Sequence, residues 1–342
     1  MRPKLIVSDI DGTLLPAGCE PDSPEVREGI QELRKLIAEE KLQFTLASGR
    51  SSVMMRPLWE ALGLDLPVIC CNGAAAGIPA AEANDMEGAS GSFSAGKQPE
   101  EAPLNSPLLR KEQADGRLLI GELWDERLSP QLIRPAVELA DSLGMAVIVT
   151  DGRAESVYRE NAYTKKHAEA EHKWNLVYRP ETEEAWQAYR LQKLLIIDPN
   201  SPGRVDEVIA ALRETERRLS ALKQATGSIS EPLSGEKQVL EGERTGHLCE
   251  IVRYDDRGVE IMPAGCTKES GVRRFCKRLG ISLSEVLVCG DNQNDVGMFR
   301  EAGLSAAVGN ASDAAKQAAS YICRSKSVYG VLEAVRYFLK GE

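Results

Sequence analysis

The chain has 342 residues, of which 42% are hydrophobic and 27% charged; this composition is typical of globular proteins, and the length predicts two domains rather than one. The net charge of −10 argues against binding to nucleic acid or to an anionic membrane surface, since both require a basic patch. No run approaches the roughly 20 apolar residues of a membrane span, and the first residues lack a signal-peptide pattern, so a cytoplasmic protein is expected.

The first 74 residues alternate between strand and helix patterns. Apolar runs predict strands at "KLIVS", "LQFTLAS" and "PVICC". The spacing of apolar residues predicts helices over 23–40 and 51–62. A β-α-β-α-β order is typical of parallel strands with helices packed on the faces of the sheet.

The middle of the chain has two parts. Residues 79–116 are rich in Ala, Gly, Ser, Pro and Glu, which predicts a mobile or poorly packed insertion. Beyond it, helices are predicted near 130–143 and over 204–222. Strands are predicted at "MAVIVT" and "KLLIID", and at the antiparallel pair "LCEIVRYD" and "GVEIMP". These patterns predict a separate α+β domain.

The last 80 residues repeat the alternation. The predicted strands are "EVLVCGD", "SAAVGN" and "YIC"; the predicted helices cover 268–279, 295–301, a segment from Ser312 and a final segment ending near Leu339. Together the two ends supply about six strands, enough for one doubly wound parallel sheet of the α/β class. We therefore predict a core formed by 1–74 and 264–342, with 75–263 inserted into it.

The cysteines do not form a binding pattern. All eight are scattered, and no two form a CxxC pair. Several lie in the apolar runs "PVICC" and "EVLVCGD". This usage predicts buried, reduced thiols rather than zinc ligands or disulfides.

Polar motifs follow the predicted strands at or near the sheet edge where open parallel sheets form their sites. "DIDGT" follows the first strand, "ASGR" follows the second and "GDNQND" follows "EVLVC", while Lys268 begins a helix. The paired carboxylates Asp9 and Asp11 at the end of a buried strand need a counter-charge or solvent, because burying a charge is costly.

This ordered set resembles the four motifs of the haloacid dehalogenase superfamily. "SGR", "CNGA", "GDNQNDVGMF" and "AVGNASDAAKQAA" are similar to its Cof-like sugar-phosphatase branch, which carries an α/β cap of type IIB between the second and third motifs. The resemblance implies a Mg²⁺-dependent phosphatase that acts on a small phosphorylated metabolite, with the cap closing over the site. One departure is Glu269, where relatives usually have glycine.

The resemblance also implies roles for particular residues. Asp9 is the nucleophile that forms an aspartyl-phosphate, and Asp11 is the general acid and base. Mg²⁺ is held by the side chains of Asp9 and Asp291 and by the backbone carbonyl of Asp11. An aspartate at position 11 suits a phosphate ester, whose leaving oxygen needs a proton.

The remaining candidates surround the phosphate. Ser48, Gly49 and Lys268 are expected to bind its oxygens. The residues expected near the substrate or behind the metal are Arg50, Asn72, Gly73, Asn294 and Asp295.

Other interpretations stay open at this stage. Asp9 and Asp11 also suit a turn, Asn72–Gly73 a type I′ turn, and His167 with His172 a solvated segment. A phosphomutase of the phosphomannomutase type would share motifs and cap, and a regulator that binds a phosphorylated ligand would share the fold. We expect a monomer or homodimer, without a nucleic-acid or membrane partner.

Overall fold

The computed structural model describes residues 2–79, 123–150, 155–159, 182–188, 191–198, 204–226, 247–253 and 258–340. Most of the insertion predicted over 79–116 therefore lies outside the described residues, as do His167 and His172. No helix in the described segments is both long and apolar enough to cross a membrane.

The described strands are β1 (Leu5–Ser8), β2 (Gln43–Leu46), β3 (Val68–Cys70), β4 (Ala75–Gly77), β5 (Trp124–Asp125), β6 (Ala146–Thr150), β7 (Glu155–Arg159), β8 (Lys193–Ile197), β9 (Cys249–Arg253), β10 (Gly258–Pro263), β11 (Val286–Gly290), β12 (Leu304–Ala307) and β13 (Tyr321–Ile322). The described α-helices are α1 (Arg27–Glu40), α2 (Ser52–Leu62), α3 (Pro130–Ser142), α4 (Glu183–Ala188), α5 (Val205–Thr226), α6 (Lys268–Leu279), α7 (Val296–Glu301), α8 (Asp313–Ala318) and α9 (Ser327–Lys340).

The chain divides into two compact units. The first contains the described residues up to Trp124 and from Lys268 onward, and the second those between Asp125 and Thr267. The predicted boundaries fall at residues 74 and 264 instead. The first boundary differs because β4 pairs with β3 in antiparallel register, Ile69 opposite Ala76, which keeps 75–77 with the first unit.

A five-stranded parallel sheet forms the centre of the first unit, in the order β13-β12-β11-β1-β2. Strand β1 lies between the other two motif-bearing strands, with Val7 opposite Thr45 of β2 and opposite Val288 of β11. All four residues of β1 are buried, which explains its uninterrupted apolar sequence. This arrangement brings the carboxyl ends of the three strands to one edge.

The third predicted strand does not join the sheet as a full member. It makes one parallel bridge to the end of β2, Ala47 to Ile69, and otherwise belongs to a three-stranded sheet with β4 and β5. The prediction of one sheet of about six strands is therefore too simple. The physical reason is that β3 has only three residues and turns back at once into a hairpin with β4.

Helices cover the sheet through buried apolar stripes. In α1 the buried residues include Ile30, Leu33 and Ile37, spaced as an amphipathic helix requires. A Cβ on Gly29 would lie 2.5 Å from a methyl carbon of Val328 in α9, so the glycine permits close packing of these helices. The helix predicted from residue 23 begins at Arg27, because residues 23–26 form a turn.

The second unit is an antiparallel sheet in the order β7-β6-β8-β10-β9. Helices α3 and α5 pack with one face of this sheet around a shared apolar cluster that includes Val137, Val149, Ile196 and Leu212. The pairing predicted for β9 and β10 is antiparallel, as expected. Strand β7 and helix α4 were not predicted.

All eight cysteines are free thiols, and seven of them are buried, as predicted.

Candidate active site

Asp9 extends β1 by one residue at the carboxyl edge of the parallel sheet. Its backbone N–H donates to the carbonyl of Cys289 in β11, at 2.9 Å. The chain then turns, with the N–H of Gly12 bonded to the carbonyl of Leu15 at 2.7 Å. Sheet pairing thus fixes Asp9 beside the loop that follows β11.

Gly12 lies in that turn at a position where a side chain would not fit. Its φ of +87° is strained for any residue with a side chain. A Cβ there would lie 2.3 Å from Oδ2 of Asp291. Glycine at this position therefore allows the loops after β1 and β11 to meet.

A buried ion-pair group lies at the centre of the site. Nζ of Lys268 is 2.6 Å from Oδ1 of Asp9 and 2.8 Å from Oδ1 of Asp295. The exposed fractions of the three side chains are 1%, 5% and 0%. Burial alone would lower the pKa of Lys268, but the charges of Asp295 and Asp9 outweigh it and raise that pKa well above its usual value.

The carboxylates outnumber the cation that faces them. Burial raises the pKa of Asp9 well above its usual value, and Lys268 only partly opposes that rise. Burial, followed by the charge of Asp295, also raises the pKa of Asp291. The hydroxyl of Thr13 donates to Asp291 Oδ1 at 2.8 Å and lies 3.3 Å from Asp9 Oδ2.

The hydrogen bonds of Asp295 separate its role from those of the other two carboxylates. Its Oδ1 faces Lys268, and its Oδ2 accepts the backbone N–H groups of Asp291 and Asn292 at 2.9 and 3.0 Å. A Cβ on Gly290 would lie 2.6 Å from this side chain. Asp295 therefore orders the loop after β11 and orients the lysine.

The donor set fits a small divalent cation. Asp9, Asp291 and Asp295 can bring one carboxylate oxygen each to within 4.8 Å of one another. These are hard oxygen donors of the kind that Mg²⁺ prefers, and one lysine leaves their negative charge uncompensated. Because both oxygens of Asp295 are already engaged, Asp9 and Asp291 are the side chains that fit direct coordination.

Ser48 and Arg50 form a second loop beside this cluster. The buried Ser48 accepts the N–H of Arg50 on its Oγ at 3.1 Å. The guanidinium of Arg50 makes a bidentate contact with the carboxylate of Asp11: Nη2 donates to Oδ1 at 2.7 Å and Nε donates to Oδ2 at 3.0 Å. The sequence motifs contain Arg50 and Asp11 but do not predict that the two residues pair.

Asn72 and Gly73 belong to the hairpin turn between β3 and β4. Both have positive φ, +51° and +91°, so the structural interpretation of this dipeptide as a turn is confirmed. The turn also contacts the loop after β2, because the N–H of Asn72 donates to the carbonyl of Ser48 at 3.0 Å. A Cβ on Gly271 of α6 would approach the Cα of Gly73 to 3.0 Å.

Two motif neighbours lie apart from the central ion pairs. Asn294 is half-buried in the turn before α7. The carboxyl group of Glu269 lies against α7, where a Cβ on Gly297 would be 2.3 Å from it. Its placement against a glycine explains how an acidic residue fits beside Lys268.

Known proteins resemble this arrangement of motifs. A model of the haloacid dehalogenase-like hydrolase family matches residues 6–87 and 122–335. The chain belongs to this family. The family and the α/β fold predicted from the motifs are therefore confirmed.

Curated relatives match this hydrolase over part of their length. A 5-amino-6-(5-phospho-D-ribitylamino)uracil phosphatase of Bacillus subtilis is 33% identical over 102 residues, 30% of this chain and 41% of that protein. A phosphoglycolate phosphatase of Pyrobaculum neutrophilum is 40% identical over 98 residues, 29% of this chain and 41% of that protein. The matches thus span about two fifths of these relatives.

Solved structures extend the likeness to the whole fold. A haloacid dehalogenase-like hydrolase from Bacteroides thetaiotaomicron has a TM-score of 0.63 at 20% identity, over 98% of this chain and 99% of that one. A sugar phosphatase of haloacid dehalogenase subclass IIB has a TM-score of 0.64 at 17% identity, over 99% of this chain and 98% of that one.

Two site residues of this hydrolase were not singled out from its sequence. Thr13 bridges the two candidate metal ligands. Asn310 donates from Nδ2 to the carbonyl of Gly12 at 2.7 Å and accepts the N–H of Ser327 at 3.0 Å. The position of each residue in the sequence could have identified it. Thr13 lies within "DIDGT", and Asn310 follows β12 at the same sheet edge.

Proposed function

We propose that this hydrolase is a cytoplasmic, Mg²⁺-dependent phosphatase that removes phosphate from a small phosphorylated metabolite such as a sugar phosphate. The observation that carries the proposal is the buried contact of Asp9 with Lys268, 2.6 Å long, beside a second carboxylate at Asp291. A buried, oriented carboxylate next to a cation site has the properties of an oxygen nucleophile toward phosphorus.

The first chemical step transfers the phosphoryl group to the protein. One carboxylate oxygen of Asp9 attacks phosphorus, while the contact with Lys268 holds the side chain in place. The bond between phosphorus and the ester oxygen breaks, and Asp11 donates a proton to that leaving oxygen. The products are an alcohol and an aspartyl-phosphate.

The second step returns Asp9 to its starting form. Asp11 takes a proton from water, and the water oxygen attacks phosphorus. The bond between phosphorus and Asp9 breaks, which releases inorganic phosphate. The same carboxyl group is used in both directions, so protons balance over the cycle.

The remaining residues stabilise charge. Lys268 offsets the repulsion between Asp9 and the phosphate, and Ser48 with the backbone of Gly49 binds phosphoryl oxygens. Asp9 and Asp291, with the carbonyl of Asp11, would hold a divalent cation, which would supply further neutralisation of the transferred group. Asp9 must be ionised to attack, and burial opposes this by raising its pKa; positive charge beside the carboxyl group would favour the ionised form.

The activities for which the relatives are named support the substrate class. The two curated relatives described above are phosphatases of small phosphorylated molecules, and one structural neighbour is a sugar phosphatase. We therefore assign a small phosphate monoester as substrate.

The test is phosphate release from p-nitrophenyl phosphate and from a panel of sugar and cofactor phosphates, with Mg²⁺ or with EDTA. We expect release that requires Mg²⁺ and disappears in Asp9→Asn. Asp65→Asn is the matched control, because Asp65 is exposed and belongs to none of the motifs. Isomerisation of a sugar phosphate without net release would favour a mutase, and binding without turnover would favour a regulator.

A further inference from the structure

The carboxylate of Asp11 is held by a single partner. All its hydrogen bonds within the described part of the chain come from Arg50. We propose that Arg50 is the positioning residue for Asp11, holding its carboxylate at the place from which it exchanges a proton with water and with the leaving oxygen. This inference rests on the proposed phosphatase function.

Arg50 is the fixed member of the pair. Its side chain is 17% exposed, whereas that of Asp11 is 56% exposed. Its backbone is bonded on both sides, the N–H to Ser48 Oγ at 3.1 Å and the carbonyl to the N–H of Cys71 at 2.9 Å. Its Nη1 also lies 3.5 Å from the carbonyl of Met54 in α2.

The two-pronged contact restricts rotation of the carboxylate. Nη2 and Nε approach different oxygens at 2.7 and 3.0 Å, a geometry that a planar guanidinium imposes and an ammonium does not. A partly exposed ion pair contributes only about 0–1 kcal/mol to stability. Fold stability is therefore a weak explanation for this contact, and orientation is a stronger one.

Loss of orientation has a characteristic kinetic consequence. Protonation matters most when the leaving group is a poor one, because a good leaving group departs as an anion without help. Phenol is a poorer leaving group than p-nitrophenol, and the two phosphate esters are similar in size. A misplaced Asp11 therefore slows phenyl phosphate hydrolysis more than p-nitrophenyl phosphate hydrolysis.

The test compares kcat/KM for these two esters in the full chain. We expect Arg50→Met to lose at least about 10-fold more activity on phenyl phosphate than on p-nitrophenyl phosphate, within the range that general acids contribute. Arg50→Lys keeps the charge without the fork and is expected to show the same bias. The control is Arg56→Met in α2, whose arginine pairs with Glu60.

A double-variant cycle removes the ambiguity of a folding defect. If Arg50 acts through Asp11, adding Arg50→Met to Asp11→Asn changes kcat/KM by less than about 2-fold. Equal losses on both esters, or full additivity of the two substitutions, would overturn the inference. Failure of the proposed function would give a different result, because the wild-type protein itself would then release no phosphate from either ester.

Discussion

Asp295 joins Lys268 to the loop after β11: one of its oxygens lies 2.8 Å from Nζ of Lys268, and the other accepts the backbone N–H of Asp291 at 2.9 Å. The carboxylate is fully buried. The position of Lys268, the proposed phosphate-binding residue, and the position of Asp291, a candidate metal ligand, therefore depend on the same side chain.

Lys268→Met is expected to destabilise the fold severely as well as abolish turnover. The substitution leaves Asp9 and Asp295 buried without their cation, and breaking such pairs costs about 3–5 kcal/mol. The free energy of unfolding in urea at pH 7 measures this loss. Lys277→Met, at an exposed position on the same helix, is the control and should change stability little; a loss below about 1 kcal/mol in Lys268→Met would contradict the expectation.

Asp291→Asn is expected to stabilise the protein freed of metal. The pKa of Asp291 is raised by burial and by Asp295. The fold therefore favours the protonated carboxyl group, and this stabilisation is present at low pH and is lost as pH rises through the raised pKa. At pH 7 with EDTA, removal of the charge should raise Tm by roughly 1–2 °C for each kcal/mol gained, because the unfolding entropy grows with chain length.

The same variant should no longer gain thermal stability from Mg²⁺, because a ligand is lost. Thermal unfolding with and without Mg²⁺ checks both statements. A variant that still gains as much from Mg²⁺ as the wild type would exclude Asp291 as a ligand.

Gly12→Ala and Gly18→Ala separate backbone strain from steric conflict. Both glycines have positive φ, +87° and +76°. A Cβ on Gly12 meets Asp291, whereas a Cβ on Gly18 has nothing within 4 Å. We expect Gly12→Ala to lower kcat/KM by roughly 100-fold, as a displacement of about 1 Å does, and Gly18→Ala to leave kcat/KM nearly unchanged; similar kinetics in the two variants would contradict this.

Glu333, which lies away from the candidate active site, makes a pH-dependent contribution to the free energy of unfolding. Its carboxylate accepts the N–H groups of Arg324 and Ser325, both at 2.9 Å, and the hydroxyl of Tyr321 at 3.0 Å. Burial opposes ionisation, but these hydrogen bonds outweigh it and lower the pKa to about 2. The stabilisation is therefore present above the ordinary glutamate pKa and is lost as pH falls toward 2.

Glu333→Gln should thus reduce the free energy of unfolding at pH 7 by about 1.5–3 kcal/mol, the usual range for hydrogen bonds to a charged group. The deficit relative to wild type should shrink between about pH 4.5 and 2. Urea unfolding across that range is the measurement, and a deficit independent of pH would refute the assignment.

The sequence predicted the elements that position the site better than the contacts within it. Strand order and motif position suffice to bring Asp9 and Asp291 to one edge, because parallel strands align their carboxyl ends. The pairing of Arg50 with Asp11 depends on side-chain direction in two loops, which periodicity does not encode. Strand β3 was misplaced because three apolar residues cannot distinguish a sheet strand from the arm of a hairpin.

The position of β1 between β2 and β11 also has a consequence for the order in which the protein is made. Thr13 and Asp291 are hydrogen-bonded but lie 278 positions apart, and one edge of β1 stays unpaired until β11 has been synthesised. Contacts of such long range fold slowly, and an unpaired strand edge exposes a growing chain to aggregation. The segment that carries Asp9 therefore gains its complete site, and with it any hydrolytic activity, only after β11 and the loop that carries Asp291 have left the ribosome.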